Sequence, residues 1–213
     1  MRKILHVEGI PGAGKSTTAQ RTAELLSTQT TVPASWVLEE ADDHPIMPRE
    51  KRRQSRQPDF ATICLTAWEE FVRTNEQMIV LDGYAFQHTV RFLYANDVSR
   101  KRIDEFFDAW QIVGGHASTM IFLAVNDPVA HLQSLLSERG EKWTKNLVAY
   151  VEHTNIAQRH AWHGDAGFIE FWVHYQSLCL ELLQRLKFPH EVIPARSWTD
   201  GQLNKLALSL CDA

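Results

Sequence analysis

Residues Gly9 to Ser16 read Gly-Ile-Pro-Gly-Ala-Gly-Lys-Ser. This is a G-x-x-x-x-G-K-S run with an apolar β-like stretch before it and a helix-forming stretch after it, the context such a loop requires. Few short patterns constrain a chain so tightly. Glycines at 9, 12 and 14 allow backbone conformations that other residues avoid, and let the main chain approach a ligand closely. Successive N–H groups then face one concavity and bind anionic oxygens, and a helix starting near Lys15 adds its positive dipole end. Gly9, Pro11, Gly12, Ala13, Gly14, Lys15, Ser16 and Thr17 are therefore the expected holders of a nucleoside triphosphate. Lys15 would sit on the β- and γ-phosphates and the Ser16 hydroxyl on Mg²⁺. A chance match to four fixed positions is roughly a 1% event in a chain of this kind.

The rest of the chain supports a layered α/β fold. Short runs rich in Val, Ile, Leu and Phe predict strands at Lys3–Glu8, Ser35–Glu39, Met78–Asp82, Thr119–Val125 and Glu191–Pro194, several of them continuous, as for strands buried on both faces. Apolar residues at helical spacing lie between them: Ala19, Ala23 and Leu26; Phe60, Ile63, Ala67 and Phe71; Ile103, Phe106, Phe107 and Trp110. The clearest stripe runs from Phe168 to Leu186 and predicts one long amphipathic helix. Strands alternating with helices imply a parallel sheet covered on both faces, with right-handed crossovers. Asp42–Pro58 reads as a loop plus a short helix, and Ser137–Gly167 as a polar, lid-like segment.

Composition excludes several function classes. With 22 basic against 26 acidic residues, the net charge of -4 argues against a nucleic-acid binder. Three well-separated cysteines, Cys64, Cys179 and Cys211, fit neither a disulfide framework nor a cysteine-rich zinc site. No apolar run approaches the ~18 residues of a membrane span, and no secretory leader is visible, so the expected setting is the cytoplasm. A GTPase would carry an N-K-x-D element, but Asn204-Lys205-Leu206-Ala207 fails at its fourth position, and no D-x-x-G follows the third strand. A transporter-type signature is also missing. A small-molecule kinase of one domain, with the polar segment as its lid, fits what is left.

At this point the chain resembles the P-loop nucleoside and nucleotide kinases, thymidylate and deoxynucleoside kinases in particular. The likeness rests on the first strand with its loop, on Trp36–Pro45, on Ile79–Asp97, and on Phe122–Trp143. It implies a five-stranded parallel sheet ordered 2-3-1-4-5, ATP and Mg²⁺ as cofactors, and a nucleoside or nucleotide as acceptor. It also allows a homodimer packed through helices. An acidic residue ending the second strand would take the acceptor's proton; Glu39 and Glu40 are the candidates, with Glu40 favoured by its spacing from Trp36. The family has an acidic-Arg-Ser or Asp-Arg-Tyr triplet after the third strand, where this chain has Asp82-Gly83-Tyr84. By the same carry-over Asp82 would help hold Mg²⁺, while Arg91 stands in for the missing arginine. Arg139 matches the lid arginine that closes over the transferring phosphoryl group, with Lys142 as a second candidate. Arg196 lies where the family contacts adenine.

Weaker features remain. Arg49, Lys51, Arg52, Arg53 and Arg56 form a basic cluster that could bind an anionic acceptor or simply be a solvated face. His153, His160 and His163 could share a helical face, but their spacing suits a metal poorly. The tryptophans read mostly as core, with Trp143 in the lid-like segment the exception. Two other functions stay open: a kinase for a non-nucleoside alcohol such as an antibiotic or sugar derivative, and a nucleotide-binding regulator with little turnover.

Overall fold

In a computed structural model, residues 2–29, 33–55, 57 and 59–212 are described, apart from the side chains of residues 210 and 211. Five strands form one parallel sheet: β1 (Ile4–Gly9), β2 (Ala34–Val37), β3 (Met78–Asp82), β4 (Ser118–Ala124) and β5 (His190–Pro194). Their order is β2-β3-β1-β4-β5, as the family resemblance implies. The central strand β1 pairs in parallel with β3 through Ile4↔Ile79 to Val7↔Asp82, and with β4 through Ile4↔Ser118 to Gly9↔Leu123.

Strand alternation creates two cores. Leu5 and Val7 of β1, Met78 and Val80 of β3, and Ile121 and Leu123 of β4 face one side of the sheet. There they meet α1 (Lys15–Gln29) and α10 (Asp200–Asp212) through Ala19, Ala23, Leu26, Leu203 and Ala207. The small Ala19 and Ala23 let α1 lie close to the strands. Ile4, Ile79, Leu81, Met120 and Phe122 face the other side. The larger core there is built by α3 (Phe60–Thr74), α5 (Arg100–Gly114), α6 (Pro128–Glu138) and α9 (Gly164–Leu183). The predicted long helix is α9, with Leu186 buried just beyond its end.

The two edge strands differ from the expectation of burial on both faces. Trp36 of β2 and Val192 of β5 are exposed, because each of these strands has a neighbour on one side only. β2 also ends at Val37, so Glu39 and Glu40 occupy a turn beyond the strand. The loop after them carries the four-residue α2 (Arg49–Arg52), and Arg56 lies outside the described residues. The lid-like stretch contains two short helices, α7 (Glu141–Glu152) and α8 (Asn155–His160).

After β3 the chain enters a π-helical turn, Ala85–Val90, which runs into α4 (Arg91–Ala95). Such wide turns are uncommon and need outside support. Here Glu8 supplies it from β1: its Oε1 accepts from the Ala85 and Phe86 amides at 2.5 and 3.2 Å. From α9 the Tyr175 hydroxyl donates to the Phe86 carbonyl at 2.8 Å. Sheet and helix layer thus jointly set where Gln87 and Arg91 point.

Candidate functional site

In open parallel sheets, ligands bind beyond the carboxyl ends of the strands where the order reverses. That place here is the C-terminal end of β1, flanked by β3 and β4. The loop Gly9–Gly14 leaves β1 there and turns into α1 at Lys15. Gly12 has a φ of +77°, and a Cβ on it would fall 2.9 Å from both His131 Nε2 and Leu135 Cδ1 of α6. The imidazole of His131 also bonds the Pro11 carbonyl at 2.9 Å. Gln87 braces the loop from the opposite side, donating its amide N–H to the Gly9 carbonyl at 2.7 Å.

Two cavities open from this loop. The first, of about 530 Å³, is lined by Gly12 through Thr18, together with Arg139, Arg196 and Trp198. No acidic residue lines it, and Lys15, Arg139 and Arg196 put three cations around it. Arg196 is held in place: its Nε and Nη2 donate to the Gly12 carbonyl at 3.2 and 2.8 Å, from a residue whose φ is +59°. The volume lies within the range of ordinary ligand sites, and the loop amides and cations suit a polyphosphate.

The second cavity, of about 220 Å³, shares Gly12 and Lys15 with the first. Glu39, Glu40, Gln87 and Arg91 form its polar side, with Pro11 beside them. Trp143, Leu147, Tyr150 and Trp172 close it with apolar surface. The two cavities are bridged by the lid, since the Arg139 guanidinium of the first stacks 5.2 Å from the ring of Trp143 in the second. Arg91 is fixed by its Nε on the Gln87 carbonyl at 2.9 Å, its Nη1 on the Tyr150 hydroxyl at 2.7 Å, and the Phe92 ring at 4.3 Å.

Between the cavities sits the junction of Lys15, Glu39 and Asp82. Glu39 Oε2 lies 3.7 Å from Lys15 Nζ. Burial pushes the Glu39 carboxyl above its usual range, and Lys15 and Arg91 pull it back down. The surroundings of Gly83 leave no room for a side chain. Its φ is +68°, and a Cβ would come within 2.8 Å of Glu39 Oε2 and 3.1 Å of Lys15 Cε. A side chain at 83 would enter the space that the Lys15–Glu39 pair occupies. Glu40, beside Glu39, is exposed at the rim.

Asp82 is buried, and neither of its carboxylate oxygens has a hydrogen-bond partner at bonding distance. Burial raises its affinity for a proton, while the nearby Ser16 hydroxyl and Lys15 favour the charged form. Two orphaned carboxylate oxygens beside a hydroxyl are hard oxygen donors, which fits Mg²⁺ held mainly by waters and phosphate oxygens. Among the described residues no group of three His, Cys, Asp or Glu could hold a metal by itself.

The fold therefore brings together Gly12, Ala13, Gly14, Lys15, Ser16, Thr17, Arg139 and Arg196 on the first cavity. It places Pro11, Glu39, Glu40 and Arg91 on the second. Gly9 lines neither and acts through its carbonyl. Of the basic cluster, Arg49, Lys51, Arg52 and Arg53 line neither cavity; Arg52 donates to the Ala41 and Met47 carbonyls at 2.9 and 2.7 Å, and Arg49 faces Asp42. Sequence reading missed Trp172, Trp198, Gln87 and His131. Trp172 falls within the apolar stripe of α9 and so looks like core; Trp198, two residues after Arg196, carried a local signal.

No family model matches the sequence, and no curated protein matches it. Solved structures do match. Thymidylate kinase from Candida albicans aligns with a TM-score of 0.54 at 15% identity, covering 99% of this chain and 91% of that one. The YorR protein of Bacillus subtilis, in complex with phosphorylated GDP, aligns at 0.51 and 12% identity, covering 98% and 95%. Shikimate kinase from Bacteroides thetaiotaomicron aligns at 0.51 and 13% identity, covering 100% and 98%. The chain has a P-loop kinase-like fold, and none of its described helices is long and apolar enough to cross a membrane.

Proposed function

We propose that this chain is a phosphotransferase that moves the γ-phosphoryl group of ATP to a hydroxyl or phosphate of a small acceptor of the nucleoside or nucleotide kind. One observation carries the reading: a cationic, loop-lined cavity and a ring-lined cavity with carboxylates meet at Gly12 and Lys15. That is the layout in-line transfer between two bound substrates needs.

The roles follow from position. The loop amides, Lys15 and Thr17 hold the triphosphate, and Arg196 and Trp198 line the same cavity and would border a nucleobase. Ser16 and Asp82 would hold Mg²⁺, which when bound neutralises charge on the phosphate oxygens. Arg139 reaches in from the lid to meet negative charge that spreads over the transferring group. Of the two glutamates, spacing favours Glu40 as the proton acceptor, whereas burial favours Glu39, which sits against the lysine at the junction. When Lys15 turns to the phosphates, Glu39 is released to accept the acceptor's hydroxyl proton. The acceptor oxygen then bonds to the γ-phosphorus as the bond to the β-phosphate oxygen breaks, and ADP leaves.

The small second cavity keeps a further reading open, a non-nucleoside alcohol as acceptor. ADP release over a panel of nucleosides, nucleotides and other alcohols tests the proposal, with ATP binding followed by calorimetry. Acceptor-stimulated release that Lys15→Ala abolishes is the expected result. Release that survives Lys15→Ala, or the absence of any ATP binding, would remove the site.

A further inference from the structure

Arg91 lines the second cavity, and its charge helps Lys15 pull the Glu39 carboxyl back down. The π-helical turn decides how it is held. In an α-helix the Arg91 amide would bond the Gln87 carbonyl, four residues back. Here that amide bonds the Phe86 carbonyl instead, one residue further back. The Gln87 carbonyl is thereby left for the Arg91 side chain, whose Nε donates to it at 2.9 Å. The Phe92 ring supports the guanidinium at 4.3 Å. Both holders come from the arginine's own stretch of chain. They fix one corner of the planar fork, and its outer end needs a second bond to set the direction in which the donors point.

That second bond comes from the lid-like stretch. Arg91 Nη1 donates to the Tyr150 hydroxyl at 2.7 Å, and the Tyr150 ring lies 5.3 Å from the same guanidinium. Both hydrogen-bond partners of Arg91 are neutral, so its charge stays available to a bound acceptor. Tyr150 belongs to α7, which packs against α9. Trp143, Leu147 and Tyr150 all line the cavity, and their spacing places them on one face of α7. Two turns before Tyr150 on that face, Trp143 carries the Arg139 guanidinium at 5.2 Å. One helix face therefore meets both arginines.

We infer that Tyr150 is a positioning residue: its hydroxyl orients the Arg91 guanidinium toward the acceptor, and the face of α7 that carries it steadies Arg139 through Trp143. The inference rests on the kinase reading proposed above. With α7 in place both arginines are held. Without it Arg91 keeps its Nε bond and the Phe92 ring, and Arg139 loses its stacking partner. The lid thus does more than shield the reaction from water; it sets the direction of a cation that belongs to another element.

Tyr150→Phe removes the hydroxyl and keeps the ring, so the cavity wall stays filled. Two readouts are taken on the full chain. The first needs no acceptor: hydrogen exchange of the arginine Nε–H groups by side-chain nitrogen NMR, with the Arg91 signal assigned from Arg91→Lys. Tyr150→Phe should speed exchange at Arg91 by roughly tenfold, the scale of one hydrogen bond to a charged group. Arg21, whose Nε donates to Asp200, should not change and serves as the internal control. The second readout is ADP release with ATP, magnesium, and thymidine, TMP, deoxyadenosine and shikimate as acceptor probes. For a probe that responds, Tyr150→Phe should lower kcat/KM by roughly tenfold with ATP affinity unchanged, and should cause no further loss when added to Arg91→Ala. A residue that only walls the cavity would cost the same with or without Arg91. Unchanged exchange at Arg91, or a full loss that persists beside Arg91→Ala, overturns the inference. If no probe stimulates ADP release by the parent, the proposed function falls, and the exchange measurement still decides whether Tyr150 holds Arg91.

Discussion

Glu8 gives the most quantitative test of how the site is held. It is fully buried on β1, its Oε1 receives the Ala85 and Phe86 amides, and its Oε2 has no partner. Burial pushes its carboxyl up to about 8, against the pull of the two amides and of Lys15. The folded protein thus holds a proton on Glu8 that the unfolded chain releases above its ordinary value of 4.5. Between those values stability must fall as pH rises, by about 1.36 kcal/mol for each pH unit. Below 4.5 both states are protonated and the effect vanishes. Glu8→Gln keeps an oxygen for the two amides but cannot ionise, so it removes this slope and leaves every other titrating group in place. From about pH 5.5 to about pH 7, the stability of Glu8→Gln relative to the parent should rise by about 2 kcal/mol. The absolute offset is less informative, since the new amide N–H groups are themselves short of acceptors, at about 1–3 kcal/mol. Urea unfolding followed by tryptophan fluorescence at several pH values measures the difference directly. A difference that stays flat with pH, or falls as pH rises, would refute the picture of Glu8 as a buried, protonated brace for the turn that carries Gln87 and Arg91.

Gly83→Ala forces a Cβ against Glu39 at a positive φ, and should lower stability by about 1–2 kcal/mol, seen in urea melts, while cutting ADP release more than ATP affinity. Glu39→Gln and Glu40→Gln separate the two candidates: the base variant should lose turnover by roughly a hundredfold with ATP binding intact, and the other should mainly raise the acceptor KM. Arg139→Ala removes the lid cation and its stacking on Trp143, and should reduce kcat by roughly tenfold to a thousandfold in ADP-release assays, with the melting midpoint nearly unchanged. His44 accepts the Ile46 and Met47 amides on Nδ1, and burial lowers its pKa to about 4. Because the unfolded imidazole gains a proton below its ordinary 6.5, His44 should contribute an acid-side loss of about 2 kcal/mol by about pH 5. Comparing the pH slopes of parent and His44→Asn checks this.

The loop Gly9–Ser16 was legible because it is local. Its chemistry depends on consecutive amides, glycine φ values and the helix that follows, all written in eight adjacent residues. Alternation of apolar runs likewise announced a parallel α/β sheet. The edge positions of β2 and β5 followed only from the strand order that the resemblance implies; the residues themselves did not announce them, because an edge is defined by a missing neighbour and leaves a weak trace in a strand of four or five residues. The second cavity lay further from view. Its walls come from the turn after β2, the π-helical turn, α7 and α9, and their meeting depends on loop closures across most of the chain. Trp172 shows the limit well: its spacing on α9 marks it as core, and only the packing of α7 against α9 reveals that its N–H is left without a partner beside a cavity. Gly83 shows the converse. In the sequence it is a lost arginine; in three dimensions it is the room that Lys15 and Glu39 need, since side chains far apart in the chain compete for one volume and only the folded arrangement says which of them fills it.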